Sequence, residues 1–96
     1  MYARIARFEG AEPDRMQGMV DEIRNDPGPP EGVPATRFMM FLDRASGTGL
    51  AVSFYESEQD MRAGDQALND MSPPPIPGLG RRVSVEFYEV PLDLPQ

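Results

Sequence analysis

Four short segments of the chain carry the mixture of apolar and polar positions that is typical of strands. Residues 82–90 alternate most regularly, with Val83, Val85 and Phe87 on one side. A stretch of turn-forming residues, DRASGTG, joins two further segments and predicts a β-hairpin. The three remaining predicted strands are residues 2–8 and the hairpin strands, 35–42 and 50–55.

Apolar residues spaced three and four apart predict two helices. In residues 13–24, Met16, Val20 and Ile23 form one stripe, and a proline at the first position suits a helix start. A second stripe of the same kind runs through residues 58–70, directly after a serine that can cap the helix. Each helix therefore has one face that can pack against a sheet.

The order of predicted elements is β-α-β-β-α-β, with loops rich in proline and glycine at residues 26–34 and 72–80. This order predicts an α+β, ferredoxin-like sandwich. Its four-stranded antiparallel sheet would have the strand order 4-1-3-2, with both helices on one face. The chain has no internal repeat and no long linker, so residues 1–96 are predicted to form a single domain.

The predicted sheet carries more apolar side chains than one layer of helices needs. An exposed set of aromatic and apolar residues usually marks an interface or a ligand site. Two sheets packed face to face would cover it, so the pattern predicts a homodimer. We expect the helix-covered face to hold Ile5, Phe38, Met40, Leu42, Leu50, Val52, Phe54, Val83, Val85 and Phe87. We expect the reverse face to hold Phe8, Met39, Phe41, Tyr55 and Tyr88.

The charge balance narrows the choice of partners. Nine basic residues, all arginine, stand against sixteen acidic ones, which gives a net charge of −7. An acidic surface repels phosphate backbones and anionic membranes, so binding to nucleic acid or membrane is not expected. The sequence lacks a long apolar run and predicts a cytoplasmic protein. Exclusive use of arginine over lysine suggests a GC-rich bacterial genome.

Missing residue types exclude several kinds of chemistry. The chain has no cysteine and no histidine, so thiolate nucleophiles, Ser–His triads and His-ligated haem or zinc are excluded. It has no lysine, which excludes Schiff-base chemistry. We therefore predict no metal site and no cofactor.

Three stretches of the sequence, YARIARFEG, FMMFLDRASGTGLAVSFYESEQDM and RRVSVEFYEV, resemble the antibiotic biosynthesis monooxygenase superfamily. The most specific part is Phe54-Tyr55-Glu56-Ser57-Glu58, an aromatic-Glu-Ser turn that runs into a helix. The resemblance spans nearly the whole chain. It implies a dimeric α/β barrel, which is a homodimer whose two sheets pack together.

The same resemblance bears on activity. The superfamily's haem-degrading branch uses an axial histidine and a tryptophan, and this chain has neither. Its polyketide-oxidising branch needs no metal or flavin, and uses Asn, Trp, Tyr and Arg to hold a phenol while oxygen attacks the substrate carbanion. Here Asn25 and Asn69 are the only asparagines, and neither matches that motif.

Polar residues expected on the reverse face are the candidate site. Arg4 keeps its charge at any working pH. Glu86 is expected beside Arg4 on a neighbouring strand, where it would hold the guanidinium in place or act as a base. Tyr55 and Tyr88 offer phenolic donors next to apolar surface. These four are the candidate catalytic residues; alternatively, they form an ion pair and packing contacts at a dimer seam. The candidate ligand-binding residues are Arg37, Met39, Phe41, Ser53 and Ser84.

Three classes of function fit these observations. The first is a protein that binds a small apolar or aromatic organic molecule between sheet and helices. The second is a cofactor-independent monooxygenase, or a related isomerase, that acts on an aromatic or polyketide-like substrate. The third is a structural dimer module that binds no ligand.

Overall fold

The computed structural model describes residues 1–25, 32–70, 78 and 80–94, without the side chain of Met19. All six predicted elements are present, with ends shifted by a few residues. Most of the two predicted proline-rich loops lies outside the described residues. No helix in the described part of the chain is long and apolar enough to span a membrane. The elements are β1 (Tyr2–Glu9), α1 (Pro13–Asn25), β2 (Arg37–Asp43), β3 (Thr48–Tyr55), α2 (Glu58–Asn69) and β4 (Arg81–Glu89).

The four strands form one sheet in the order β2-β3-β1-β4, and all neighbouring pairs are antiparallel. The structure therefore confirms an α+β fold with the predicted strand order. β1 and β3 are the central strands, and β2 and β4 are the edges. A β-bulge in the β1–β4 pairing leaves Val83 without a partner, because Arg7 pairs with Ser84 and Phe8 with Arg82.

Local sequence signals explain where α2 begins. Ser57 has extended backbone angles, and its side-chain oxygen accepts a hydrogen bond from the backbone N–H of Asp60 at 3.0 Å. Glu58 and Asp60 lie in the first turn, where negative charge is favourable. The predicted serine cap is thus confirmed, and it fixes the helix at the end of β3.

Two buried clusters hold the helices on the same face of the sheet. Met16 of α1 is the centre of the first, and Tyr55 with Met61 of α2 forms the centre of the second together with Val33. Around Met16 pack Phe8, Val20, Ile23, Met40, Leu42 and Ala51. Around the second centre pack Tyr2, Ala35, Ala67 and Leu68.

On the edge strands β2 and β4, the residues predicted to face the helices do so, apart from the exposed Val83. On the central strands β1 and β3, the side chains point to the sides opposite to those predicted. The helices pack over a mixture of small and large side chains on the central strands, and Gly64 of α2 leaves room for the ring of Tyr55. Our assignment of these strands was therefore wrong. Arg4, Ala6, Phe8, Ala51, Ser53 and Tyr55 face the helices. Ile5, Leu50, Val52 and Phe54 face the opposite side.

We call this opposite side the open face, because no described helix packs on it. The strand register arranges its residues in three rows across β2, β3, β1 and β4. The first row is Arg37, Phe54, Ala3 and Tyr88. The second is Met39, Val52, Ile5 and Glu86, and the third is Phe41, Leu50, Arg7 and Ser84.

Candidate functional site

A groove with a volume of about 360 Å³ lies between α2 and the β1–β4 edge of the sheet. It lies on the helix-covered side and opens to solvent. Its apolar and aromatic lining comes from Tyr2, Met61 and Phe87, with Tyr88 at its border. Its charged lining comes from Glu58, Arg62, Asp65 and Glu89. A volume of this size suits a small organic molecule.

The strand register builds one wall of this groove. Tyr2 pairs with Glu89 across the β1–β4 ladder, so both side chains point to the helix side. Phe87 is two residues before Glu89 on the same face and lies opposite Arg4. Since β4 is an edge strand, Phe87 stays 47 % exposed despite facing the helices.

Helical spacing builds the other wall. Met61 and Asp65 are four residues apart on α2, so they lie one above the other on the same side of the helix. Met61 is buried against Tyr55, and Asp65 reaches β1 through Arg4. This side of α2 therefore runs along the central strand and leaves the groove next to it.

Two of the three carboxylates in the groove are already paired with arginines. The Nε atom of Arg4 donates to Asp65 Oδ1 at 2.7 Å, and Arg62 Nη2 donates to Glu58 Oε1 at the same distance. Glu89 has no ion pair among residues 1–25, 32–70, 78 and 80–94. The remaining charge of the groove is therefore negative and lies at Glu89.

A polar network under α2 joins the helix to β1 and β4. Asn69 Oδ1 accepts hydrogen bonds from Arg4 Nη2 at 3.2 Å and from Arg82 Nη1 at 2.6 Å. The amide nitrogen of Asn69 donates to Asp65 Oδ2 at 3.2 Å. Arg4 is only 4 % exposed, so its charge depends on these partners. The network fixes α2 beside the groove.

Tyr55 is fully buried under the same helix. Its hydroxyl is 2.9 Å from Ser53 Oγ, and Gly64 of α2 lies directly over the ring. Burial raises the pKa of Tyr55; nearby Asp65 acts in the same direction, while the Ser53 hydrogen bond and the charge of Arg4 oppose it. The phenol is therefore held neutral and has no surface that a ligand could contact.

The structure divides the candidate site residues into two groups. Arg4, Ser53 and Tyr55 come together on the helix-covered side, where their donors bond to other protein groups. The expected pairing of Arg4 with Glu86 is wrong, because Arg4 faces α2 and Asp65 holds it. The other candidates lie on the open face: Arg37, Met39, Phe41, Ser84, Glu86 and Tyr88.

Polar contacts on the open face are few and exposed. Tyr88 Oη donates to Glu86 Oε2 at 3.1 Å, and this hydrogen bond with the adjacent negative charge raises the pKa of Tyr88. The guanidinium of Arg37 lies 6.0 Å from the centre of the Phe54 ring. Both pairs lie in or next to the first row of the open face.

Sequence reasoning missed Asp65 and Asn69. A signal for them existed, because Met61, Asp65 and Asn69 recur at four-residue spacing and so place polar groups beside the apolar stripe of α2. Polar residues in such positions need buried partners, and Arg4 supplies one. Within the described parts of the chain, no group of three or more carboxylates could hold a metal ion.

A scan of the chain against protein-family models finds no match. A search of curated proteins likewise finds no significant similarity.

Proposed function

We propose that this protein binds a small aromatic or apolar organic molecule in the groove between α2 and the β1–β4 edge. The observation that carries the proposal is a concavity of about 360 Å³ in which Tyr2, Met61 and Phe87 are brought together. Aromatic and methionine side chains favour flat, apolar ligands of varied shape. The charged residues around them would set the orientation of the ligand.

The packing beneath the groove supports a preformed site. Arg4, Asp65 and Asn69 bond to one another, and Met61 is buried against Tyr55. A wall held by such a network needs little rearrangement when a ligand enters. Binding energy would then go into contact with the ligand and not into ordering the protein.

We also propose that the protein is a homodimer whose two open faces pack together, as the resemblance to the monooxygenase superfamily implies. On the open face the half-buried Ile5, Leu50 and Phe54 surround the buried Val52, and Phe41 remains 45 % exposed on β2. A continuous apolar surface on a sheet is costly in water and is typical of an interface.

The resemblance also keeps the cofactor-independent monooxygenase as an alternative function of the same groove. That chemistry requires donors in contact with the substrate. Arg4, Ser53 and Tyr55 are buried and bonded within the protein, so the described geometry favours binding over oxygenation. A structural dimer without a ligand would leave the aromatic groove without a role.

The proposal is tested by a thermal-shift screen with phenols and other aromatic compounds. We expect at least one compound to stabilise the protein and to shift the NMR signal of the Met61 methyl group. The methyl signal of Met40, which packs near α1, should not shift. Phe87→Ala should weaken binding about tenfold, because an aromatic contact is lost. Oxygen uptake with the bound compound would identify the alternative function.

Phe38→Ala is the matched control. Phe38 is also on an edge strand, faces the same side of the sheet and is 41 % exposed, but it does not line the groove. Its substitution should leave the affinity unchanged. The proposal fails if no aromatic compound binds, or if both variants lose affinity equally.

A further inference from the structure

We infer that the groove selects a positively charged aromatic ligand, an arylalkylammonium ion, over neutral or anionic aromatic molecules of similar shape. This inference rests on the proposed function and names the chemical class of its ligand. Two observations support it. Within the described part of the chain, Glu89 is the one carboxylate of the groove that is not paired with an arginine, and aromatic side chains lie beside it.

The local charge is the first argument. Three carboxylates and one guanidinium line the groove, and Glu58 is paired with Arg62 within it. Asp65 is paired with Arg4 from beneath. Among the three carboxylates that line the groove, Glu89 is therefore the one without an ion pair in the described structure, and it lies at the exposed end of β4. A cationic ligand would complete this pairing, whereas an anionic one would be repelled.

The position of the aromatic rings is the second argument. Tyr2 is the register partner of Glu89, and Phe87 is two residues away on the same face of β4. An ammonium group held near Glu89 would therefore lie close to two aromatic side chains, which attract cations. The ring of the same ligand could contact Met61 on the opposite wall.

The test uses benzylammonium, benzyl alcohol and benzoate, which share a ring and differ in charge. Affinities are measured by isothermal titration, with the methyl signal of Met61 reporting that each probe occupies the groove. We expect the cation to bind about 3- to 10-fold more tightly than the alcohol, the range of a single exposed ionic and cation–π contact. Benzoate should bind most weakly.

Two matched substitutions separate local charge from net charge. Glu89→Gln should weaken benzylammonium binding about 3- to 5-fold and change benzyl alcohol binding much less. Glu22→Gln changes the net charge equally on the exposed surface of α1 and should affect neither probe. Equal affinities for the three probes, or a cation affinity insensitive to Glu89→Gln, would overturn the inference while the proposed function stands. Absence of binding by all three would overturn both.

Discussion

Gly64 is the residue at which α2 comes closest to the sheet. A Cβ atom built at this position would lie 2.6 Å from Cζ of Tyr55, and neither Tyr55, which is fully buried, nor the helix can move freely. We expect Gly64→Ala to lower the free energy of unfolding by about 1–3 kcal/mol, as overpacking of a rigid core does. Urea unfolding followed by circular dichroism measures the change.

Gly18 is the control for this prediction because it also lies within a helix. A Cβ there would meet no atom within 4 Å, so Gly18→Ala should raise the free energy of unfolding, by up to about 1 kcal/mol through helix propensity alone. If Gly64→Ala is also stabilising, the close packing of α2 over Tyr55 is contradicted.

The buried phenol of Tyr55 should make stability depend on alkaline pH. Its pKa in the folded protein is above the ordinary value of 10.0, mainly because of burial. Above pH 10.0 the unfolded chain loses this proton while the folded protein keeps it, so stability falls as the pH rises towards the folded pKa. The expected slope approaches 1.4 kcal/mol, roughly, per pH unit in that window.

Tyr55→Phe should flatten this alkaline decline, measured as the urea midpoint across the same pH range. The chain has no lysine and no cysteine, so tyrosines dominate its side-chain titration there. At neutral pH the variant should lose about 1 kcal/mol, because Ser53 loses its buried partner. Tyr88→Phe removes an exposed tyrosine whose pKa Glu86 also raises, and it should flatten the decline less than Tyr55→Phe does. An unchanged decline in Tyr55→Phe would refute the assignment.

At the scale of elements, the ion pair between Arg4 and Asp65 joins α2 to the central strand β1. Arg4 is buried, so Asp65→Asn leaves a guanidinium without its counter-charge. We expect the free energy of unfolding to fall by about 1–3 kcal/mol, measured by urea unfolding. Glu58→Gln is the control, since it removes the exposed pair with Arg62 and should cost about 0.5 kcal/mol or less. Similar losses in both variants would show that Asp65 does not hold the helix.

The elements themselves could be predicted from the sequence, but the orientation of the central strands could not. Alternation in β1 and β3 separates two sets of side chains and does not say which set meets the helices. The aliphatic residues Ile5 and Val52 predict that their own set meets the helices. In the structure the helices instead pack over the set with Arg4 and Tyr55, because Asp65 pairs with Arg4 and Gly64 leaves room for the Tyr55 ring.

This inversion also explains why the candidate site was only partly predicted. Arg4, Ser53 and Tyr55 were correctly grouped on one side of the sheet, but that side is buried beneath α2. The groove depends on side chains from α2 and β4 that approach each other only through tertiary packing. Spacing within each element showed Met61 and Phe87 as apolar positions, and nothing in the sequence placed them opposite one another.

At the scale of the whole molecule, the two sides of the sheet differ in what covers them. One side carries both helices and the groove, while the open face carries a patch built mainly from β2 and β3. The β4 edge of the open face is more polar and carries Tyr88, Glu86 and Ser84. The apolar patch is therefore the part of the open face that a dimer interface would cover.

Phe41→Glu tests whether the open face forms the dimer. Phe41 is 45 % exposed in the single chain, and dimerisation would bury it. A charge at this position should therefore weaken association by several kcal/mol, which is on the order of the cost of burying an unpaired charge. Light scattering should show a dimer for the unmodified chain and a monomer for this variant. Phe38→Glu is the matched control on the same strand, similarly exposed but facing the helix side, and should remain dimeric. A monomeric unmodified chain, or dissociation of both variants, would exclude the open face as the interface.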